Sequence, residues 1–303
     1  MKKKYIKIFI FSEFSKKIGI GHFIRSKRLY DYLKKKNSVF FYKNKSNEFV
    51  ENVIKKNSIN SIFIFDFKNY DKFKINYNKS CKYIFFDKYK KTVNSAININ
   101  PLFPNTSRYS GPKWYSFPLN FFNVSKIIIK NKENKKRKQI LICQGGTDAH
   151  NNLNKLIRII KNKLFNLDLD LSILAPKQFK INNNTKKKYS IKIFKNIKNI
   201  YPFINKFDHV VTSGGGFSYE VNFLCIDCTY VTSEPREIKL CKFLKKKGFG
   251  KIFKIHQINK IKKNIYDNLV GKFNKNNKHR IRYFRHNGLQ NISNLIYSIK
   301  NEI

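Results

Sequence analysis

Short apolar runs alternate along the chain with segments whose apolar residues recur three and four positions apart. The first run covers residues 5–11, and residues 23–37 follow with helical spacing. A continuous apolar, β-rich run is typical of a strand buried on both faces of a parallel sheet. The pattern predicts a strand, a turn over residues 18–22 and a helix that ends near Asn37.

The alternation continues to about residue 130. Strands are predicted at 38–42, 61–66 and 82–87, with a helix at 48–56. Four prolines and Gly111 interrupt residues 98–123, which predicts a loop-rich region. Residues 131–138 are almost all charged or amide and predict a linker.

A second series of strands follows the linker. Strands are predicted at 139–143, 169–174, 190–194, 208–212 and 226–231, and helices include one up to about residue 163, one at 238–247 and one at 288–300. The length of 303 residues suits two domains of about 150 each. The pattern predicts an α/β protein of two doubly wound, Rossmann-like domains, 1–130 and 138–303, that face a central ligand-binding cleft.

Three glycine-containing turns join a predicted strand to a helix, at residues 18–22, 144–148 and 213–216. Such turns lie at the carboxyl edge of a parallel sheet, where open α/β folds bind ligands. A backbone without Cβ lets successive N–H groups approach phosphate oxygens, and the helix N-terminus favours the negative charge. The full dinucleotide and P-loop signatures, GxGxxG with a trailing acid and GxxxxGK[ST], do not occur.

His22 lies on the first of these turns. An imidazole, which titrates near neutrality, suits a general base, although the same residue could simply cap the helix. Asp66 and Asp87 end the third and fourth predicted strands at the same edge. Each aspartate could belong to a site or could cap the element that follows.

The formal net charge of +46 by itself indicates a nucleic-acid or membrane partner. Only 9 of the 64 basic residues are arginine, and the lysines are spread along the chain beside abundant Asn, Ile, Phe and Tyr. Solvated lysine faces encoded by an AT-rich gene explain this composition better than a nucleic-acid site. The charge would still attract an anionic substrate.

Cysteine usage and hydropathy favour a cytoplasmic protein. The five cysteines are scattered, and the Cys225–Cys228 pair lacks the partners of a zinc site, so reduced thiols are expected. The lysines at 2–4 precede an apolar run that contains Lys7 and lacks a cleavage signal. No apolar stretch reaches about 18 residues, so no stable membrane insertion is expected.

Taken together, the motifs resemble the UDP-sugar hydrolases of pseudaminic acid biosynthesis. The shared patterns are IGxGHxxR at 18–25, GGxDxxN at 145–151 and SGGGxxxE at 213–220. The strand ends Phe65-Asp66 and Phe86-Asp87 and the loop at 110–115 are also similar, and the matches follow the family's order from residue 5 to about 250.

This resemblance implies the glycosyltransferase B (GT-B) architecture. It further implies hydrolysis of UDP-2,4-diacetamido-2,4,6-trideoxy-β-L-altropyranose, or a related UDP-sugar, at the anomeric carbon without metal or other cofactor. His22 would activate water, Glu220 would contact the ribose, and the amides of Gly214, Gly215 and Gly216 would stabilise the departing UDP. The other residues implied to bind substrate are Gly19, Gly21, Arg25, Glu13, Asp66, Tyr115, Gly145, Gly146, Asp148 and Ser213.

The chain departs from the family where Phe11-Ser12-Glu13 replaces an Arg-x-Asp pattern, at Phe117, and at 233–236. These changes affect the expected sugar more than the UDP side. A GT-B glycosyltransferase of surface polysaccharide biosynthesis is the alternative, with an acceptor hydroxyl in place of water. An RNA-binding protein is disfavoured because the aromatic residues lie mainly within apolar strand runs and no RNP-type motif occurs. A protein that only binds a nucleotide sugar is a further alternative.

Overall fold

The protein was analysed as a computed structural model that describes residues 6–15, 18–73, 75–88, 96–123, 137–161, 169–181, 191–197, 199–271 and 277–300. The chain divides into two units. The first contains Met1–Pro118 and His286–Ile303, and the second contains Leu119–Arg285.

Each unit contains a six-stranded sheet in which every described pairing is parallel. The strand order is β2-β1-β3-β4-β5-β6 in the first unit and β12-β11-β10-β7-β8-β9 in the second. The strands are β1 (Lys7–Ser12), β2 (Ser38–Lys43), β3 (Ser61–Asp66), β4 (Lys82–Phe86), β5 (Ala96–Asn100), β6 (Tyr109–Ser110), β7 (Lys138–Cys143), β8 (Leu169–Leu174), β9 (Lys192–Phe194), β10 (His209–Thr212), β11 (Asp227–Thr232) and β12 (Lys251–Lys254).

Helices follow most strands in both units. Two single turns of 3-10 helix also occur, at Tyr70–Lys72 and Pro112–Trp114. The described α-helices are α1 (Gly21–Leu33), α2 (Asn47–Lys56), α3 (Asn120–Asn123), α4 (Asn152–Lys161), α5 (Ile200–Ile204), α6 (Gly216–Phe223), α7 (Pro235–Lys246), α8 (Ile258–Leu269), α9 (Asn277–Phe284) and α10 (Gly288–Lys300).

The first sheet is apolar on both faces, which explains its unbroken apolar strand sequences. Alternate residues of β1 illustrate the arrangement: Ile8 and Ile10 pack with α1 and α10, whereas Phe9 and Phe11 pack with α2. Aromatic rings stack across neighbouring strands on the α2 face, with 5.3 Å between the ring centroids of Phe11 and Phe65. A side chain's position along a strand therefore decides which face it occupies.

Helix α10 belongs to the first unit, whereas the sequence pattern placed residues 138–303 together in the second. Its apolar residues join the core on the α1 face of the first sheet, at Leu289, Ile292, Leu295, Ile296 and Ile299. The helix also lies very close to the loop at 112–115, because a Cβ on Gly288 would lie 2.1 Å from the carbonyl oxygen of Tyr115. Periodicity identified this helix but carried no information about its partner.

Other differences concern weakly apolar segments. Strands β5 and β6 lie inside or beside the region interpreted as loop-rich, and β12, α8 and α9 were not predicted. Most of the predicted linker at 131–138 lies outside the described residues, and Lys138 begins β7. Charged residues dilute the apolar periodicity in these segments, and β6 contains only two residues.

Each sheet has a topological switch point, where successive crossovers run in opposite directions. In the first sheet this point lies between β1 and β3, and in the second it lies between β7 and β10. Open α/β folds bind ligands at the carboxyl ends of such strands. At the first switch point, His22 follows β1 and Asp66 ends β3. At the second, the turns at 144–146 and 213–216 follow β7 and β10.

Candidate functional site

His22 is held by the carboxylate of Asp66. The imidazole Nδ1 lies 2.6 Å from Asp66 Oδ1, and 15% of the His22 side chain is exposed. His22 is the second residue of α1, which begins at Gly21. Strand β3 places Asp66 on the same face of the sheet as α1. The two residues are 44 positions apart in sequence and meet because β3 pairs directly with β1.

The Asp66 carboxylate is fully buried and accepts four hydrogen bonds. Oδ1 accepts from His22 Nδ1 and Arg25 NH2, whereas Oδ2 accepts from Arg25 Nε at 2.7 Å and from Ser26 Oγ at 2.8 Å. A carboxylate offers about four lone-pair positions, so its hydrogen-bonding capacity is used. These contacts fix its orientation and, through it, the plane of the His22 ring.

The charges around Asp66 keep it ionised. Burial alone would raise the pKa of this carboxyl, but the neighbouring Arg25 and His22 outweigh burial and hold the pKa far below its ordinary value. Because Asp66 carries no proton, a contact of 2.6 Å to an imidazole nitrogen requires the proton on Nδ1. We therefore assign neutral His22 as the Nδ1–H tautomer, with Nε2 as an acceptor.

Nε2 of His22 is the nitrogen available for chemistry. Among the described residues, no group makes a hydrogen bond to it. A neutral imidazole with one nitrogen fixed by a carboxylate and the other free can take a proton from water or a hydroxyl group. The arrangement can therefore supply a general base with an orienting partner.

The structure places Arg25 and Asp66, both implied by the resemblance to bind substrate, in a buried cluster of ion pairs. Arg25 is 3% exposed and lies between Asp66 and Asp87. Its NH1 donates to Asp87. Its guanidinium thus has no free edge at the surface of the sheet. Sequence reasoning also missed Ser26, although its position four residues after His22 puts both on one helix face.

Two other residues of the first unit that were expected at the site, Glu13 and Tyr115, contact other parts of the same unit. Glu13 Oε1 accepts hydrogen bonds from the backbone N–H groups of Lys68 and Asn69. Tyr115 is 5% exposed and packs edge-on against Phe117. Glu13 therefore links the loops after β1 and β3, and Tyr115 belongs to the core.

The two glycines of the first turn have different environments. Gly19 has φ +91°, a conformation that favours glycine, and its N–H donates to the carbonyl of Ser15 at 2.9 Å. A Cβ on Gly21 would have no heavy atom within 4 Å. The first glycine shapes the turn, and the second leaves open space at the start of α1.

In the second unit, the two remaining glycine turns lie on adjacent strands. Thr212 of β10 is paired with Cys143 of β7, so the turns that follow begin side by side at the carboxyl edge. Gly145 has φ +74°, and a Cβ there would approach Ser213 Oγ at 4.0 Å. The structure therefore brings Gly145, Gly146 and residues 213–216 to one edge of the second sheet.

Gly214 and Gly215 are required for different reasons. A Cβ on Gly214 would lie 2.6 Å from both Cys241 Sγ and the Glu237 carbonyl oxygen, so this glycine packs against α7. Gly215 is the N-cap of α6 in extended backbone, and a Cβ there would meet no heavy atom within 4 Å. Close packing explains Gly214, whereas the open space at Gly215 leaves room for a ligand at the start of α6.

This difference predicts opposite results for one substitution at neighbouring positions. Gly214→Ser should lower the free energy of unfolding by about 1–3 kcal/mol, because the new atoms overlap Cys241 and the α7 backbone. Gly215→Ser should be tolerated, since serine is favoured at an N-cap and has space here. Urea unfolding followed by circular dichroism measures both, and equal stabilities would contradict the assignment.

Two carboxylates and a thiol lie near these turns. Asp148 accepts hydrogen bonds from the backbone N–H groups of Asn152 at 2.8 Å and Leu153 at 3.2 Å, and so caps the start of α4. Glu220 is 4% exposed on α6. Burial, with the nearby charges of Glu220 and Asp148, raises the pKa of the Cys143 thiol to about 12. Cys143 is therefore a buried neutral thiol between two acidic residues.

Two polar side chains that sequence reasoning missed are buried at the same edge. Gln144 is 6% exposed and Thr212 is fully buried, and neither side chain has a hydrogen-bond partner within the described part of the chain. Buried polar groups are normally satisfied, so these unpaired atoms are unusual for a folded protein. Their signal in the sequence is positional, because each lies at the junction of a strand and a glycine turn.

The described residues hold no group of three or more His, Cys, Asp and Glu side chains that could bind a metal ion. Within the same part of the chain, no helix combines the length and the apolar character needed to cross a membrane.

Comparison with known proteins assigns the fold. No family model matches the chain. An uncharacterised protein of Methanocaldococcus jannaschii is 31% identical over 267 residues, which cover 73% of this chain and 54% of that protein. The chain thus spans about half the length of the curated relative it matches.

Several solved structures resemble nearly the whole chain, and two illustrate the likeness. MnaA of S. aureus, in a co-structure with UDP, has a TM-score of 0.62 and 12% identity, with 98% of each chain covered. The spinosyn rhamnosyltransferase SpnG, complexed with thymidine diphosphate, has a TM-score of 0.64 and 9% identity, with 96% of this chain and 100% of that chain covered. The fold is GT-B-like, as the sequence analysis predicted.

Proposed function

We propose that this chain is a glycosyltransferase that moves a sugar from a nucleoside diphosphate sugar to an acceptor hydroxyl group. The observation that carries the proposal is the His22–Asp66 pair, which leaves Nε2 of a neutral imidazole as an acceptor at a switch point of the first sheet. The GT-B-like fold supports the same proposal, since glycosyltransferases occur among the proteins that share it.

In the proposed reaction, His22 acts as the general base. Nε2 takes the proton of the acceptor hydroxyl while the oxygen attacks the anomeric carbon of the sugar. The bond between that carbon and the diphosphate breaks, and the diphosphate leaves with the bonding electrons. Asp66 keeps the ring oriented and stabilises the imidazolium that forms, because it accepts from Nδ1 throughout.

The second unit would bind the nucleotide. The N-terminus of α6, capped by Gly215, presents backbone N–H groups and the positive end of the helix dipole to a diphosphate. Gly145, Gly146, Ser213 and Gly216 would complete this turn region, and Asp148 would hold α4 in place. Glu220 would contact the ribose, as the family resemblance implies, and the resemblance also favours UDP over other nucleotides.

Hydrolysis of a UDP-sugar is a second candidate. The observation that favours it is the IGxGHxxR pattern at 18–25, which resembles that of UDP-2,4-diacetamido-2,4,6-trideoxy-β-L-altropyranose hydrolases. The chemistry at His22 is unchanged, except that the base would deprotonate water. An acceptor is then unnecessary, and the two functions differ in this requirement alone.

Release of UDP from a panel of UDP-sugars distinguishes these functions. The panel contains UDP-N-acetylglucosamine and the 2,4-diacetamido altrose sugar, each with and without a mixture of sugar and lipid-linked acceptors, and no added metal. We expect release that requires an acceptor. Release at the same rate from water alone would establish the hydrolase, and failure of UDP to bind in calorimetry would reject both functions.

A further inference from the structure

Arg25 is enclosed between two buried carboxylates. Its Nε and NH2 donate to Asp66, and its NH1 donates to Asp87, which is 2% exposed. Burial would lower the pKa of this guanidinium, but Asp66 and Asp87 outweigh it and raise the pKa well above the ordinary value. A permanent cation thus joins Asp87 to the carboxylate that orients His22.

Asp87 is fixed in an unusual backbone conformation. Its φ of +55° is uncommon for a residue other than glycine, and such strain persists where surrounding contacts hold it. Its N–H donates to the Ile99 carbonyl at 2.9 Å, and its Oδ1 accepts from the Leu102 N–H at 3.2 Å. These contacts keep the remaining oxygen directed at Arg25.

The charges of this cluster do not cancel. Two carboxylates face one guanidinium, which leaves one negative charge when His22 is neutral. A proton on His22 brings the total to zero. Accepting a proton at Nε2 is therefore favoured by the charge of the cluster as a whole, of which Asp87 supplies one unit.

Among the described residues, charged groups on neighbouring elements make contacts outside the cluster: Glu13 accepts from the backbone N–H groups of Lys68 and Asn69, and Arg28 donates to the carbonyl oxygen of Ser116. Ser12 of β1 contributes a hydroxyl group, and Lys43 of β2 lies over the rings of Phe14 and Phe23. Tyr70 donates to backbone carbonyls; burial raises its pKa well above the ordinary value, so it is neutral. Lys88 contacts the ring of Phe85, which faces the opposite side of the sheet, and α10 contributes apolar residues.

We propose that Asp87 is a positioning residue for the reaction: acting through Arg25 and Asp66, it makes proton uptake by His22 easier. The inference rests on the proposed role of His22 as a base. Asp87 itself touches neither His22 nor, in this proposal, the substrate. Its effect is electrostatic and is transmitted through the fixed guanidinium.

Asp87→Asn tests this inference, because asparagine tolerates the same backbone conformation and removes only the charge. In the NMR spectrum of the free protein, the pH midpoint of the His22 ring signals should fall by about one unit, the scale of the effect of a nearby charge. The His22 signals among the six histidines are assigned by their loss in His22→Gln. The acidic limb of the pH profile of kcat/KM should shift to lower pH by a similar amount.

Asp227→Asn is the matched control. Asp227 accepts from buried Arg280 at 2.9 Å in the second unit, so its replacement breaks a comparable ion pair outside the His22 cluster. The midpoint should move in Asp87→Asn and stay in place in Asp227→Asn. An unchanged midpoint in Asp87→Asn, or equal shifts in both variants, overturns the inference. The NMR result needs no turnover, so it stands apart from a failure of the proposed function.

Discussion

Replacing His22 with glutamine should lower kcat by about 10²–10⁴-fold, the range for loss of a general base. Glutamine can still donate an N–H to Asp66, so the buried cluster keeps its hydrogen bond while the proton acceptor is lost. UDP binding in calorimetry should be unchanged, because the nucleotide is proposed to bind the second unit. Release of UDP from the best substrate of the panel measures the effect.

A matched histidine supplies the control for this result. His256 is exposed between β12 and α8 and lies outside the candidate site. His256→Gln should retain the activity of the unmodified protein. A His22→Gln variant within threefold of that activity would refute the role of His22 as a base.

Removing Asp66 should produce the largest loss of stability. Asp66→Ala should lower the free energy of unfolding by about 3 kcal/mol, the lower end for breaking a buried ion pair, because Asp87 still compensates Arg25. The buried donors of Arg25 and Ser26 also lose their acceptor. Urea unfolding at neutral pH measures the loss.

Helix α1, which carries Arg25 and Ser26, offers a control for Asp66. Asp31 pairs with Lys27 and Lys34 at the surface, with 44% of its side chain exposed. Asp31→Ala should cost less than about 1 kcal/mol. Equal losses in the two variants would show that the buried cluster is no more stabilising than a surface pair.

Asp66 also predicts how stability depends on pH. The pKa of Asp66 is depressed in the folded state. Its contribution to the free energy of unfolding is therefore fully present above the ordinary carboxyl pKa of about 4, and it is lost as the pH falls toward the pKa of the folded state. The stability difference between the unmodified protein and Asp66→Ala should therefore shrink on acidification below about pH 4. A difference that is constant from pH 7 to 3 would contradict this.

The sequence predicted the central strands because both sheets are buried on both faces, which leaves unbroken apolar runs such as residues 62–65 of β3. It also located the glycine turns, since the positive φ of Gly145 favours glycine and the packing of Gly214 leaves no room for a side chain. Strand β12 and helix α8 escaped prediction because lysines interrupt their apolar positions.

The roles of Arg25 and Asp66 could not be obtained from sequence. Their contact spans 41 residues and exists because β3 is inserted beside β1, a property of strand order. Likewise, the apolar face of α10 was readable, but not the sheet that it covers. Local patterns specify which face of an element is buried, whereas partners are decided by topology.

The return of α10 to the first unit sets an order of events during synthesis. A ribosome delivers residues 286–303 only after all of Leu119–Arg285 has been made. Until then, the face of the first sheet that carries α1 lacks the five apolar side chains that complete its core. The second unit can therefore fold on the nascent chain first. The first unit, which carries His22, exposes this apolar surface to chaperones until α10 emerges.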